Sequence, residues 1–166
     1  MVVGSIELLP LVDATGLLGE LDQLCPGARC FAHGERVAFA RSSERPHVAR
    51  AIEPVPFEEV RGETQISGGV TAFELPGHFP GHMGVRIDSD GKRALLIADA
   101  AVHPMLLHEP DAVYASDANP TDCAETRRSL LPELVDREVL TVCGHYPAGG
   151  IGRVVTRQSR VVWEAA

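Results

Sequence analysis

The chain's 166 residues are 45% hydrophobic and 23% charged, a balance that suits one globular domain (1–166) with a buried core and excludes a disordered segment. A formal net charge of −8 argues against nucleic acid or an anionic membrane surface as a partner, and 5% aromatic residues are too few to build a stacking platform for single strands. No apolar run approaches the roughly 18 residues of a membrane span, and no basic-then-apolar stretch opens the chain, so the expected compartment is the cytoplasm.

In chain order, residues 6–12 read as a first strand, with Pro10 marking an edge, and 13–16 as a turn. Leu17 to Leu24 has helical spacing and stops at Cys25-Pro26-Gly27, and a second helical pattern runs from Glu35 to about Arg50, interrupted at Pro46. Short strands are expected near 58–61 and 63–66, then at 70–75 and 82–88, with a turn at 89–91. Residues 93–98 form a continuous apolar run, the mark of a strand buried on both faces, and it ends abruptly at Asp99. A loop follows to about Asn119. Thr121 to Asp136 is the clearest helix, with Thr121 or Asn119 as its cap and Leu130, Leu131, Leu134 and Val135 as its apolar stripe. Residues 139–143 read as another buried strand, and 151–156 with 159–163 as a closing hairpin. The four cysteines, Cys25, Cys30, Cys123 and Cys143, have no C-x-x-C spacing and read as free thiols.

The chemistry concentrates at three strand ends. Pro76-Gly77-His78-Phe79-Pro80-Gly81-His82 cannot be helical, because Gly77, Pro80 and Gly81 break a helix, so it must be a tight loop carrying two imidazoles. Asp99 ends one buried strand, either as a ligand or as a cap, and His145 follows the next in Gly144-His145-Tyr146-Pro147. Two neutral imidazoles and a carboxylate form a three-ligand set that leaves a coordination position open for water. Zinc in such a set lowers the pKa of that water to near 7 and supplies a hydroxide nucleophile. Tyr146 is either a hydrogen-bond donor to substrate or an aromatic that packs beside the last ligand, and Asp117 is either a substrate contact or a turn residue. His33 and His47 read as surface or capping residues.

The ordered motifs Pro-Gly-His78-Phe-Pro-Gly-His82, Leu-Leu-Ile-Ala-Asp99-Ala, Ala124-Glu-Thr-Arg-Arg128 and Gly144-His145-Tyr-Pro resemble the C-terminal part of the metallo-β-lactamase superfamily, over about residues 28–155. The Ala-Val-His103-Pro104 loop is most similar to the lactonase, arylesterase and organophosphate-hydrolase branch. The resemblance implies that His78 and His145 are metal ligands, that Asp99 bridges two metals, and that His82 packs behind the site. The family's His-x-His-x-Asp-His hallmark does not occur in this sequence, and the strands and helix that normally carry it are missing between roughly Gly27 and Ala28.

The expected fold is therefore α/β: a truncated αβ/βα sandwich, mostly the C-terminal half, completed by a homodimer that packs sheet against sheet. The expected function is metal-dependent hydrolysis of activated esters, lactones or phosphotriesters by a metal-bound hydroxide. One or two divalent ions per chain (zinc, or Mn, Co or Fe) would sit on His78, Asp99 and His145, with His82 and His103 as further candidates. The alternative is a catalytically degenerate remnant that serves as a binding or assembly module.

Overall fold

The computed structural model describes residues 2–7, 29–42, 57–135 and 137–166. Its centre is a mixed sheet of seven strands in the order β11-β10-β9-β8-β7-β6-β5. These strands are β5 (Thr64–Ser67), β6 (Val70–Glu74), β7 (Met83–Ser89), β8 (Lys92–Leu96), β9 (Val139–Val142), β10 (Ile151–Arg157) and β11 (Arg160–Ala165). Ahead of them lie a small hairpin, β1 (Val2–Val3) with β2 (Ile6–Glu7), and a parallel pair, β3 (Cys30–His33) with β4 (Phe57–Val60). The helix α1 (Gly34–Arg41) follows β3 directly.

Most of the sheet runs antiparallel through tight turns, such as Asp90-Gly91, where both residues take positive φ (50° and 72°) and so match the twist of the flanking strands. The exception is β8 with β9, which are parallel and therefore need a long crossover. That crossover carries the short helix α2 (Met105–His108) and the long helix α3 (Pro120–Leu134). Asn119 caps α3, its side-chain oxygen accepting from the amides of Thr121 and Asp122, and Pro120 occupies the first turn, where its missing N–H costs nothing.

The crossover covers one face of the sheet. Leu95 of the central strand β8 and Ile97 just beyond it, with Val139, Cys143 and Val154 beside them, pack against Leu106 and Leu107 of α2 and Leu130 and Leu134 of α3. Each such leucine fully withdrawn from water contributes roughly 1.5–3 kcal/mol. The opposite face is also apolar. Ile87 and Ala94 are buried there beneath Val3 and Ile6 of the β1–β2 hairpin, while Val85, Leu96 and Leu140 remain half-buried.

Several expectations shift in detail. The strand at 93–98 ends at Leu96, and Ala98–Ala101 forms a 3-10 turn in which Asp99 sits, so the carboxylate comes from a turn rather than from the strand tip. Residues 105–108 form α2 where only loop was expected. The strand β3 was not foreseen, because four residues paired in parallel with a distant segment carry no local turn signal. The second helical pattern is observed as α1 up to Arg41. Its continuation to Arg50, and the helix at 17–24, lie outside the described residues. Among the described residues no helix is long and apolar enough to cross a membrane.

Candidate metal centre

Strand direction explains why three distant residues meet. β6 is antiparallel to β7, β7 is antiparallel to β8, and β8 is parallel to β9. Hence β6, β8 and β9 all point the same way, and the chain leaves them at one edge of the sheet: into the His78 loop, the Asp99 turn and the His145 turn. Loops at such an edge are where α/β sheets build their sites.

The His78 loop is held from both sides. Leu75 N–H donates to His82 O at 2.9 Å and His82 N–H to Phe79 O at 3.1 Å, closing the loop on itself. Ala118 N–H donates to His78 O, Asn119 N–H to Gly77 O, and the Thr126 hydroxyl to Pro76 O, which ties the loop to the start of α3. That contact requires glycine at 77. Its φ is +121°, and a Cβ there would lie 2.4 Å from the Cys123 backbone nitrogen. On the other side, Gly81 (φ +67°) lets the loop approach His33 Nδ1 and the start of α1.

Within this frame His78 is 4% exposed. Its Nδ1 lies 3.0 Å from Oδ1 of Asp117, a carboxylate that only accepts, so Nδ1 carries a proton. Nε2 faces Asp99 Oδ2 at 3.5 Å. The other oxygen of Asp99, Oδ1, lies 3.1 Å from His145 Nε2. Ala98, immediately before, takes a positive φ of 45° that an alanine rarely adopts, which stores strain beside the carboxylate.

Asp117 is the hub behind His78. Its side chain is fully buried, and its second oxygen receives Arg127 Nη2 at 2.6 Å. Burial alone would raise the Asp117 pKa, but the hydrogen bonds from His78 and Arg127 outweigh it and hold the carboxyl below its ordinary range. Arg127, 0% exposed, also donates Nε–H to Ala100 O at 2.9 Å and Nη1–H to Ala112 O at 2.8 Å.

The sequence-derived candidates separate clearly in space. His78, Asp99 and His145 come together. His82 does not join them as a ligand: its Nδ1 donates to Leu75 O at 2.9 Å, its Nε2 accepts from the Asp99 amide at 3.2 Å, and burial holds its pKa below the ordinary imidazole value. Both ring nitrogens are committed, and its work is to fix the backbone of Asp99. His103 is exposed, and its Nδ1 accepts from Met105 N–H at 3.1 Å, a cap on α2 rather than a ligand. Tyr146 does not reach the site. It is 4% exposed in the helix-covered core, its ring edge-on to Trp163 at 4.8 Å, and burial pushes its hydroxyl's pKa up. Alternation is the reason: the chain turns after His145, which sends the next side chain inward. Asp117, offered as a substrate contact or a turn residue, has no exposed side-chain surface to touch a substrate. Arg127, within the Ala124–Arg128 motif, is a functional residue the sequence does not single out; its spacing from Cys123, Leu130 and Leu134 on the buried stripe of α3 is the signal that places it inward.

The donor set suits a divalent ion. Two ligands at about 2.1 Å from a tetrahedral ion stand about 3.4 Å apart, close to the 3.1 and 3.5 Å separations on the two sides of Asp99. Each imidazole meets its own carboxylate oxygen. No group of three or more His, Cys, Asp or Glu side chains is placed around a common ion position among the described residues.

The mixed seven-stranded sheet with its helical crossover has a truncated metallo-β-lactamase-like fold. Solved structures with this fold align closely with the chain. AidC, a dizinc quorum-quenching lactonase, is 20% identical with a TM-score of 0.71 over 85% of this chain and 55% of its own. The hydrolase AbOPH of the β-lactamase superfamily is 18% identical with a TM-score of 0.72 over 85% of this chain and 56% of its own. An N-acyl homoserine lactone hydrolase, with its product bound at the catalytic metal centre, is 18% identical with a TM-score of 0.53 over 62% of this chain and 41% of its own. The chain thus spans 41–56% of the length of these structures. No protein-family model and no curated protein sequence matches it.

Proposed function

We propose that the chain is a metal-dependent hydrolase of activated esters, lactones or phosphotriesters, with His78, Asp99 and His145 holding zinc or another divalent ion. The observation that carries this reading is His78 Nε2 facing one oxygen of the Asp99 carboxylate at 3.5 Å while its other oxygen meets His145 Nε2 at 3.1 Å. Imidazole nitrogen and carboxylate oxygen are donor types that a divalent cation takes. When bound, such an ion supplies an acidified water and a positive charge that polarises the substrate's carbonyl or phosphoryl oxygen. Imidazole with carboxylate suits zinc, manganese, cobalt or iron, and the two oxygens of Asp99 offer room for one or two ions per chain.

The chain's own residues divide the remaining work. Asp99 supplies negative charge to both positions, and His82 holds its amide still. His145 is open to solvent on the side from which a substrate arrives. The net charge of −8 disfavours polyanionic substrates.

A homodimer belongs to this reading. The second sheet face carries half-buried Val85, Leu96, Leu140 and Val142, an apolar surface that a second copy packing sheet against sheet would cover. The second functional reading, a degenerate module that binds or assembles without catalysis, is favoured by the lack of the His-x-His-x-Asp-His hallmark. One preparation separates the two. Elemental analysis of the gel-filtration peak is expected to find about one or two divalent ions per chain at dimer mass, with hydrolysis of aryl esters, lactones or organophosphates that chelation and His145→Ala both abolish. Absence of metal after reconstitution with zinc, manganese or cobalt would establish the scaffold reading, and a stable monomer would remove the dimer.

A further inference from the structure

We infer that Arg127 is the positioning residue of this site: one buried guanidinium sets both the tautomer of His78 and the place of Asp99. Five hydrogen bonds carry the inference. Nη2 grips Asp117 Oδ2 at 2.6 Å, and the other oxygen of Asp117 holds His78 Nδ1 at 3.0 Å. Nε donates to the carbonyl of Ala100, the residue directly after Asp99, at 2.9 Å. Nη1 donates to Ala112 O at 2.8 Å and more weakly to Pro110 O at 3.4 Å, which anchors the loop that delivers Asp117. The guanidinium is planar, with donors on three nitrogens in fixed directions, so these contacts define one orientation; a lysine ammonium cannot reproduce them.

The chemical consequence lies at His78. A neutral imidazole left to itself exchanges between two tautomers, and only the one protonated at Nδ1 offers Nε2 to Asp99 as an electron-pair donor. Asp117 selects that tautomer because its oxygen meets Nδ1 as an acceptor, and Arg127 keeps Asp117 aimed. Arg127 touches neither the candidate ligands' donor atoms nor a substrate. It acts through Asp117 on one ligand and through the Ala100 carbonyl on another. The next residue, Arg128, is half-exposed and pairs with Asp111 at the surface, so it is the natural control.

The tautomer part stands without any metal, whereas the effect on ion affinity rests on the proposed function. Two measurements keep them apart. Long-range proton–nitrogen NMR of the metal-free protein, at a pH where imidazole is neutral, is expected to show His78 with a protonated Nδ1 and an unprotonated Nε2. In Arg127→Lys the same signals are expected to become those of a mixture. A His78 protonated at Nε2, or one already exchanging in the unsubstituted protein, would overturn the inference. Zinc affinity, read by competition with a chromophoric chelator, is expected to fall about 10–100-fold in Arg127→Lys and to stay unchanged in Arg128→Lys. Unchanged affinity in a folded Arg127→Lys protein would overturn it equally. If Arg127→Lys fails to fold, the tautomer in the unsubstituted protein still decides. If the unsubstituted protein binds no zinc while His78 shows the expected tautomer, the proposed function fails and the positioning role stands.

Discussion

His78 and His145 face the same carboxylate from opposite sides, yet they are held very differently. The His78 side chain is 5% exposed and contacts Asp117, while Phe79 and Tyr114 flank its ring at 4.3 and 6.3 Å. The His145 side chain is 61% exposed, and its ring makes one polar contact among the described residues, to Asp99. Their backbones are equally well placed, since each follows a strand of the same direction. The difference therefore does not come from the sheet. It comes from the crossover, which lays residues 112–119 and α3 over His78 and leaves His145 open. In this fold the sheet brings the ligands to one edge, and the helical layer decides which of them is rigid.

Breaking the rigid side should have the largest effect. Arg127→Met leaves the Asp117 carboxylate buried without its cation and frees three carbonyls, and removal of one partner from a buried pair costs about 3–5 kcal/mol. Urea unfolding measures this directly; a loss below about 1 kcal/mol would mean that the hub contributes little to the fold. His78→Ala comes next. It removes one of the two partners of a buried carboxylate and should cost about 1–3 kcal/mol. His145→Ala should change stability by no more than about 0.5 kcal/mol, since an exposed side chain with one contact is lost, while abolishing hydrolysis. Equal destabilisation by the two histidine substitutions would erase the contrast.

The same contrast marks what was legible in the sequence. His78, Asp99 and His145 could be read because each follows an apolar run and strand ends gather. Their assembly depends on strand direction, which the alternation of turns and crossover largely determines. The support behind them was not legible. Asp117 lies in a polar stretch, Tyr-Ala-Ser-Asp-Ala-Asn, whose composition says turn, and only the docking of that turn under α3 buries it. Arg127 and Arg128 are identical by type, and the one-residue offset around the helix sends the first into the core and the second to solvent. Tyr146 misled for the opposite reason: adjacency to a ligand in sequence suggests adjacency in space, but the backbone reverses direction between them. The pairing of β3 with β4 crosses more than twenty intervening residues, a distance over which local patterns are silent.

The smallest expected effect concerns the thiols on the two sides of the site. Cys123 sits under the His78 loop, where burial first and the neighbouring Asp117 second push its pKa up to about 12. Cys143, below the His145 turn, is also raised by burial. Both should resist alkylation in the native protein and react on unfolding, because the thiolate is the nucleophile. The linkage has a definite sign. A thiol whose folded pKa lies above its unfolded value of about 8.5 binds more protons folded than unfolded in that interval, so stability is full below about pH 8.5 and declines as pH rises toward the folded pKa. Cys123→Ala should flatten that alkaline decline, read as unfolding free energy against pH. A native protein whose Cys123 is alkylated as fast as a free thiol would show that the loop over α3 opens readily, and the rigidity ascribed to the His78 side would be lost with it.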